Sequence, residues 1–231
     1  IGFGGLDHVV ALGEDVNVFI VDTEVYSNTG GQSSKATPLG AVAQFCSSGK
    51  KSAKKDLGAI MMTYDNVYVA QVAMGADPQQ LIRAIREAEA FHGPSVIVAY
   101  APCASHGIKS GMGMAQQEMK RAVEAGYWTL YRYNPNNQEA PLTLDCKTPT
   151  MPFEEFLDGE VRYASLKRTF PDNAAAFFSK AGQQAQARYE KYVQLAQQKA
   201  QAVRGCDGCS GCSDSDDELI DCTAAGHIGR S

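Results

Sequence analysis

Four runs of apolar residues along the chain predict β-strands. Three of them are nearly continuous rather than alternating, which is typical of strands covered on both faces. The runs are VNVFIV at 16–21, VYVAQVAM at 67–74, SVIVAYA at 95–101 and WTLYRY at 128–133.

Helical patterns separate these runs. DPQQLIRAIREAEAF begins with Asp77 as a capping residue followed by a proline at the first helical position. MAQQEMKRAVEAG ends on Gly126, which is suited to the cap at a helix C-terminus. The alternation of strand and helix predicts an α/β fold with a largely parallel sheet and helices on both faces.

The pattern of alternating apolar runs and helical segments ends after Tyr133. NPNNQEAPLTLDCKTPTMP predicts loops, and a polar pattern over about 172–203 predicts a long helix that packs through one face. RGCDGCSGCSDSDDELIDC is rich in glycine, serine and acidic residues, which predicts a disordered tail. We therefore predict an α/β domain at 1–135, a loop-rich and helical extension at 136–204 and a flexible tail at 205–231.

Composition narrows the class of protein. The 231 residues are 44% hydrophobic with a formal net charge of −5, which argues mildly against a nucleic-acid partner. No stretch of about 18 apolar residues predicts a membrane span.

The chain opens on IGFGGLDHVV without a methionine or a leader pattern, so we expect a fragment of a larger folded unit. Seven unevenly placed cysteines favour a reducing, cytoplasmic compartment over a disulfide scaffold.

The polar stretch VDTEVYSNTGGQSSK, at 21–35, follows the first predicted strand. Ligands of open α/β sheets bind at the carboxyl ends of strands, and exposed backbone N–H groups there can hold phosphate. Asp22, Thr23 and backbone carbonyls are hard oxygen donors, which Mg²⁺ prefers. The stretch predicts a phosphate and magnesium site, with an ordinary turn-rich loop as the alternative.

Several long motifs resemble pyruvate:ferredoxin (or flavodoxin) oxidoreductase. They are IGFGGLDHV at the start, DTEVYSNTGGQSSKATP with AKKDLG after it, YAPCASHGIKSGMG at 100–113 and AGYWTLYRYNP at 125–135. The similarity extends from Ile1 to about Phe170. It corresponds to the thiamine-diphosphate-binding region near the C-terminus of that family, so the resemblance implies that 1–135 form a thiamine-diphosphate-binding domain.

The resemblance also implies roles for individual residues. In the family the Mg²⁺ ligands are an Asp in a GDG motif, a Thr side chain and a backbone carbonyl two residues further on. The last two match Thr23 and Val25, whereas the GDG motif is missing from this chain. Asn28 resembles the catalytic residue that reaches the thiazolium and the substrate. The resemblance therefore implies that Asn28 also binds the cofactor.

Cys103 resembles the fourth ligand of the 4Fe-4S cluster nearest the thiamine, the other ligands belonging to a ferredoxin-like domain. The alternative is a small buried side chain. Cys206, Cys209 and Cys212, with Cys222 beyond, have spacing reminiscent of a cluster motif, but their acidic surroundings favour a metal-scavenging or redox-sensitive tail. We interpret Cys46 and Cys146 as structural and His106 as a satisfied loop histidine.

The activity implied is the oxidative decarboxylation of pyruvate to acetyl-CoA and CO2, with electrons passing through iron–sulfur clusters to ferredoxin or flavodoxin. Coenzyme A, the remaining domains of a parent chain and a second copy in a homodimer are the implied partners. An anaerobic or organellar reducing compartment is also compatible. Two alternatives stay open: a thiamine-dependent oxidoreductase for another 2-oxo acid, and a non-catalytic phosphate-binding module.

Overall fold

The computed structural model describes residues 2–197, so the predicted tail with Cys206, Cys209, Cys212 and Cys222 lies outside the described residues. Within that range five strands form one sheet: β1 (Asn17–Asp22), β2 (Tyr68–Val72), β3 (Ser95–Tyr100), β4 (Tyr131–Tyr133) and β5 (Leu142–Leu144). The helices of the same range are α1 (Phe3–Ala11), α2 (Leu57–Met61), α3 (Pro78–Ala90), α4 (Ala115–Glu124), α5 (Phe153–Gly159), α6 (Val161–Thr169) and α7 (Pro171–Gln197).

The sheet has the strand order β1-β3-β2-β4-β5. Strands β1, β3 and β2 run parallel, which confirms the predicted α/β fold with a parallel core. Strand β4 pairs antiparallel with β2, and β5 pairs antiparallel with β4. The segment after Tyr133 was predicted as loops, but its short connection lets the chain turn back as a hairpin and form β5.

The exposure of β1 differs from its prediction. Its continuous apolar run predicts a strand buried on both faces, yet Phe19 is 49% and Val21 59% exposed. The prediction fails because β1 lies at the edge of the sheet, whereas β2 and β3 lie inside it and are almost fully buried. Helix α3 covers the face of the sheet on which Phe19 and Val21 lie, but it packs over β2 and β3.

Helices cover both faces of the sheet, as predicted. Ala84 and Ala88 of α3 pack against Tyr68, Ala70 and Ile97 on one face. Helices α1, α4, α5, α6 and α7 contribute to the larger core on the other face. The predicted polar helix is confirmed as α7 over its described length, and its buried residues include Phe178, Ala185, Tyr189 and Tyr192.

The predicted helix caps are both present. Asp77 accepts a hydrogen bond from the backbone N–H of Gln80 at 2.8 Å, at the start of α3. Gly126 follows α4 with a φ of 70°, a left-handed conformation that glycine adopts without steric cost. Among the described residues no helix is both long and apolar enough to cross a membrane.

Because β1 and β3 are parallel neighbours, their carboxyl ends lie side by side. The polar loop follows β1, and the loop that carries Cys103 follows β3. The fold therefore brings the two predicted sites to one edge of the sheet.

Candidate functional site

Thr23 and Val25 stand together just beyond the end of β1. The Thr23 hydroxyl donates a hydrogen bond to the backbone oxygen of Val25 at 3.1 Å. These are the two oxygens that the sequence predicts as magnesium ligands, and a cation placed between them would meet two hard donors. Asp22, also a candidate donor, instead forms an ion pair with Lys54 at 2.6 Å.

A cavity of about 210 Å³ adjoins this pair of oxygens. Its lining includes Phe3 of α1, Thr23, Val25, Ser34 and Lys35. The hydroxyls and the lysine of this lining are suited to phosphate oxygens. The donor set and the adjoining space therefore fit a magnesium ion that carries a diphosphate.

Asn28 lies on the exposed turn of the same loop. The two glycines that follow have φ values of 106° at Gly30 and 89° at Gly31, in a region favourable to glycine. A Cβ at Gly31 would lie 3.1 Å from the Cβ of Ser105. The Gly-Gly pair therefore allows the loop after β3 to lie close to it. The sequence analysis did not predict this packing role.

Cys103 joins the polar loop through a chain of hydrogen bonds. Its thiol donates to the Ser27 hydroxyl at 3.3 Å, and the Ser27 and Thr23 hydroxyl oxygens lie 2.7 Å apart. Burial would raise the pKa of Cys103, but the hydrogen bonds to Ser27 and from the Ser105 N–H outweigh it and lower that pKa. The thiolate, the form that binds metals, therefore forms more readily at the half-buried Cys103 than at a free cysteine.

Cys46, Cys103 and Cys146 are free thiols. In the described part of the chain, no three His, Cys, Asp or Glu side chains come together as a metal site. Cys103 is thus a single thiol beside the polar loop that follows β1.

Glu24 is the centre of a buried charge cluster that the sequence interpretation missed. Its carboxylate lies 2.8 Å from Arg162 and 2.7 Å from Lys54, and the Tyr127 hydroxyl donates to it at 2.6 Å. Burial alone would raise the pKa of Glu24, but the Lys54 ammonium and the Arg162 guanidinium lower it to about 2. Glu24 is therefore ionised at neutral pH.

Arg162, on α6, connects this cluster to two further buried groups. One guanidinium nitrogen lies 3.0 Å from Nδ1 of His106, and Nε lies 3.0 Å from a carboxylate oxygen of Glu160. Burial and then the Arg162 charge lower the pKa of His106 to about 4, so His106 is neutral. The hypothesis of a fully satisfied histidine is wrong for Nε2, which is buried without a partner in the described part of the chain.

A larger cavity of about 390 Å³ lies behind the cluster, between the sheet and α7. Its lining includes Glu24, Lys54, Tyr127, Trp128, Phe153 and Arg188. Lys54 closes part of its polar side, with its ammonium 4.7 Å from the centre of the Trp128 ring.

The sequence contained partial signals for the cluster. Glu24, Lys54 and Tyr127 all fall inside the motifs that carry the family resemblance. Arg162 falls outside those motifs, and no local pattern distinguishes it from an exposed helical arginine. Its role arises only in the folded chain, where its guanidinium meets the Glu24 carboxylate.

The chain is similar in sequence to several known proteins. Residues 1–99 match the family described as "Thiamine pyrophosphate enzyme, C-terminal TPP binding domain". The chain is 59% identical over 195 residues to the pyruvate-flavodoxin oxidoreductase of Klebsiella pneumoniae, covering 83% of this chain and 17% of that protein. It is 60% identical over 195 residues to the pyruvate:ferredoxin oxidoreductase of Moorella thermoacetica, covering 83% of this chain and 16% of that protein.

The chain spans about a sixth of the length of these curated relatives. A solved structure of a 2-oxoglutarate:ferredoxin oxidoreductase from Magnetococcus marinus aligns with a TM-score of 0.45 and 18% identity. That alignment covers 72% of this chain and 57% of the other.

Proposed function

Since most of this chain is homologous to one segment of the pyruvate-flavodoxin and pyruvate:ferredoxin oxidoreductases, we propose that it is the thiamine-diphosphate-binding segment of such an enzyme. The parent enzyme oxidatively decarboxylates pyruvate to acetyl-CoA and CO2 and passes the electrons to ferredoxin or flavodoxin. The observation that carries this proposal is the pairing of Thr23 Oγ1 with the Val25 carbonyl at the end of β1. A match to the thiamine pyrophosphate family over residues 1–99 includes both of these residues.

In this proposal Thr23 and Val25 hold the Mg²⁺ ion that binds the diphosphate. Asn28, exposed on the same loop, extends toward the reacting atoms and is the catalytic residue contributed by this chain. Bound thiamine diphosphate supplies an electron sink for decarboxylation of a 2-oxo acid. The chain's own residues bind and orient it, and the loop after β3 lies so near the loop of Asn28 that a side chain at Gly31 would meet Ser105.

Cys103 is the ligand that this chain contributes to a 4Fe-4S cluster. Its lowered pKa and its hydrogen bond to Ser27 support a thiolate placed next to the cofactor loop. A cluster at this position would lie one short chain of hydroxyls away from Thr23, which suits a first electron acceptor.

The remaining parts of the proposal concern the whole enzyme. Residues 1–135 form the cofactor-binding domain, 136–204 its extension and 205–231 a tail. The partners are pyruvate, coenzyme A, ferredoxin or flavodoxin, the other domains of the parent enzyme and a second copy in a homodimer. The free thiols of Cys46, Cys103 and Cys146 suit a reducing compartment, the cytoplasm or an anaerobic or organellar one.

The proposal is tested in the full-length enzyme by Thr23→Ala. The variant removes one of two metal-binding oxygens from this loop, so we expect the dissociation constants of Mg²⁺ and thiamine diphosphate to rise by about tenfold or more. Both are measured by titration of the apoenzyme, together with anaerobic viologen reduction by pyruvate and coenzyme A. Thr63→Ala, at an exposed position after α2, is the matched control.

Unchanged affinity in Thr23→Ala would contradict the assignment of Thr23. Viologen reduction that requires a 2-oxo acid other than pyruvate would keep the site and change the substrate. If protein with its full cluster content reduces no viologen with any 2-oxo acid, the enzymatic proposal is refuted.

A further inference from the structure

Glu24 has a left-handed backbone conformation, with a φ of 61°, and it lies between Thr23 and Val25. Glycines aside, only Phe45 shares this conformation among residues 2–197. In an L-amino acid the left-handed region places Cβ close to the following carbonyl oxygen, which costs free energy. Such a conformation persists only where surrounding contacts hold it.

Two hydrogen bonds hold the backbone of Glu24 in place. Its N–H donates to an Asp22 carboxylate oxygen at 2.9 Å. Its carbonyl oxygen accepts from the Thr37 hydroxyl at 2.7 Å, and Thr37 is completely buried. Hydrogen bonds to Asp22 and from Thr37 therefore hold both the backbone N–H and the backbone carbonyl of Glu24.

The side chain of Glu24 is fixed independently. Lys54, Arg162 and Tyr127 contact its two carboxylate oxygens, and the residue is only 1% exposed. These partners come from the loop before α2, from α6 and from the segment after α4. A buried carboxylate with three charge-assisted contacts has one favourable position.

The consequence of this conformation appears at the two neighbouring residues. The Thr23 hydroxyl and the Val25 carbonyl face each other at 3.1 Å, close enough for one cation to contact both. In an extended strand, residues two apart are separated by about 6.6 Å along the chain. The left-handed conformation of Glu24 turns the chain between Thr23 and Val25 and brings the two oxygens closer than that.

We propose that Glu24 is the positioning residue of the magnesium site, and that its buried carboxylate locks the turn which brings Thr23 Oγ1 and the Val25 oxygen together. Arg162 and Lys54 anchor that carboxylate, and Thr37 anchors the carbonyl of the same residue. Glu24 itself does not bind the metal. This inference rests on the proposed function, because it assumes that Thr23 and Val25 bind Mg²⁺.

The test measures Mn²⁺ binding to the full-length apoenzyme by electron paramagnetic resonance, in the presence of thiamine diphosphate. Glu24→Gln keeps the size of the side chain but removes the charge that pairs with Lys54 and Arg162. Thr37→Val keeps the shape of a buried residue but removes the hydrogen bond to the Glu24 carbonyl. We expect the dissociation constant of Mn²⁺ to rise by about tenfold in Glu24→Gln and by a smaller factor in Thr37→Val, as for other groups that orient metal ligands.

Matched controls separate positioning from general destabilisation. Glu118→Gln changes another buried carboxylate that pairs with an arginine, on α4. Thr129→Val changes another buried threonine, whose hydroxyl has no hydrogen-bond partner in the described range. Both controls should bind Mn²⁺ as the unchanged enzyme does. Activity at saturating Mg²⁺ and thiamine diphosphate should recover in Thr37→Val. Because these ligands also stabilise the folded state, urea unfolding of the apoenzyme without them must show that the variant is folded before they are added.

Thr23→Ala is measured alongside these variants. If it weakens Mn²⁺ binding while Glu24→Gln and Thr37→Val do not, the positioning role is wrong and the proposed function stands. If Thr23→Ala also leaves Mn²⁺ binding unchanged, the metal site itself is wrong. Should Glu24→Gln fail to fold, the decision rests on Thr37→Val, and unchanged Mn²⁺ affinity there overturns the inference.

Discussion

Ser27 lies between two residues to which different roles are proposed. Its hydroxyl oxygen is 2.7 Å from that of Thr23 and accepts a hydrogen bond from the Cys103 thiol at 3.3 Å. If Cys103 binds the proposed cluster as a thiolate, the Ser27 hydroxyl is placed to donate to its sulfur. Hydrogen bonds to cluster sulfurs are one of the factors that set the reduction potential.

We expect Ser27→Ala to lower the midpoint potential of the cluster that Cys103 binds. A hydrogen bond worth ~1 kcal/mol corresponds to about 40 mV for one electron. A redox titration of the full-length enzyme, followed by electron paramagnetic resonance, measures the shift. Ser33→Ala, further along the same loop, is the control, and a potential that moves equally in both variants would contradict a specific role for Ser27.

Individual residues differ in how far the sequence could identify them. Apolar runs predict the strands whose carboxyl ends precede Thr23, Val25 and Cys103, and the structure has these strands. The roles of the three residues as ligands are implied only by the family resemblance and stay predictions. Glu24 was not singled out, because its importance depends on a backbone conformation and on Arg162. That arginine comes from α6, and only tertiary packing brings it to the end of β1.

At the scale of elements, periodicity and caps predicted α3, α4 and the strands of the parallel core. The same reasoning was wrong about the burial of β1, because composition does not reveal which strand lies at the edge of a sheet. Strand β5 was missed because three residues in a proline-rich segment give no periodic signal. Strand pairing, not local propensity, makes that segment extended.

Helix α7 packs on the rest of the fold through aromatic residues that its polar composition does not emphasise. Tyr192 is fully buried, stacks on Tyr131 with ring centres 4.5 Å apart, and donates a hydrogen bond to Asp56 at 2.8 Å. Asp56 also caps α2 by accepting from the Ala59 N–H. One hydroxyl thus links the longest described helix to the start of another.

Tyr192→Phe should lower the free energy of unfolding by ~1 kcal/mol, because the aromatic packing remains while the hydrogen bond to Asp56 is lost. Urea unfolding of the isolated chain, followed by the fluorescence of Trp128, measures this value. Tyr189→Phe changes a tyrosine of the same helix whose hydroxyl makes no hydrogen bond within residues 2–197, and it should have little effect. Equal losses in the two variants would contradict the assigned hydrogen bond.

At the scale of the whole molecule, the buried charges between the sheet and α6 are not evenly balanced. Arg162 faces both Glu24 and Glu160, whereas Lys54 pairs with Glu24 and Asp22 but not with Glu160. Burial raises the pKa of Glu160, Glu118 and Glu24 add to this effect, and Arg162 only partly opposes it, so that the pKa lies at about 7. One carboxylate of the pair is therefore ionised at neutral pH, whereas the other is close to its midpoint.

This asymmetry predicts how the stability of the chain depends on pH. A carboxyl group whose pKa rises from 4.5 to about 7 on folding binds its proton more tightly in the folded state. Its contribution to stability is fully present below pH 4.5 and is lost as the pH rises through 7. The corresponding free energy is on the order of 3 kcal/mol.

Glu160→Gln removes that titration while keeping the size of the side chain. Between pH 5 and pH 8, the free energy of unfolding should therefore fall less in the variant than in the unchanged chain. Urea unfolding at both values, followed by Trp128 fluorescence, gives the difference, and Glu155→Gln, at an exposed position on α5, provides the control. If the unchanged chain and Glu160→Gln lose equal stability over this range, Glu160 is already ionised at pH 5, and Arg162 neutralises both carboxylates rather than one.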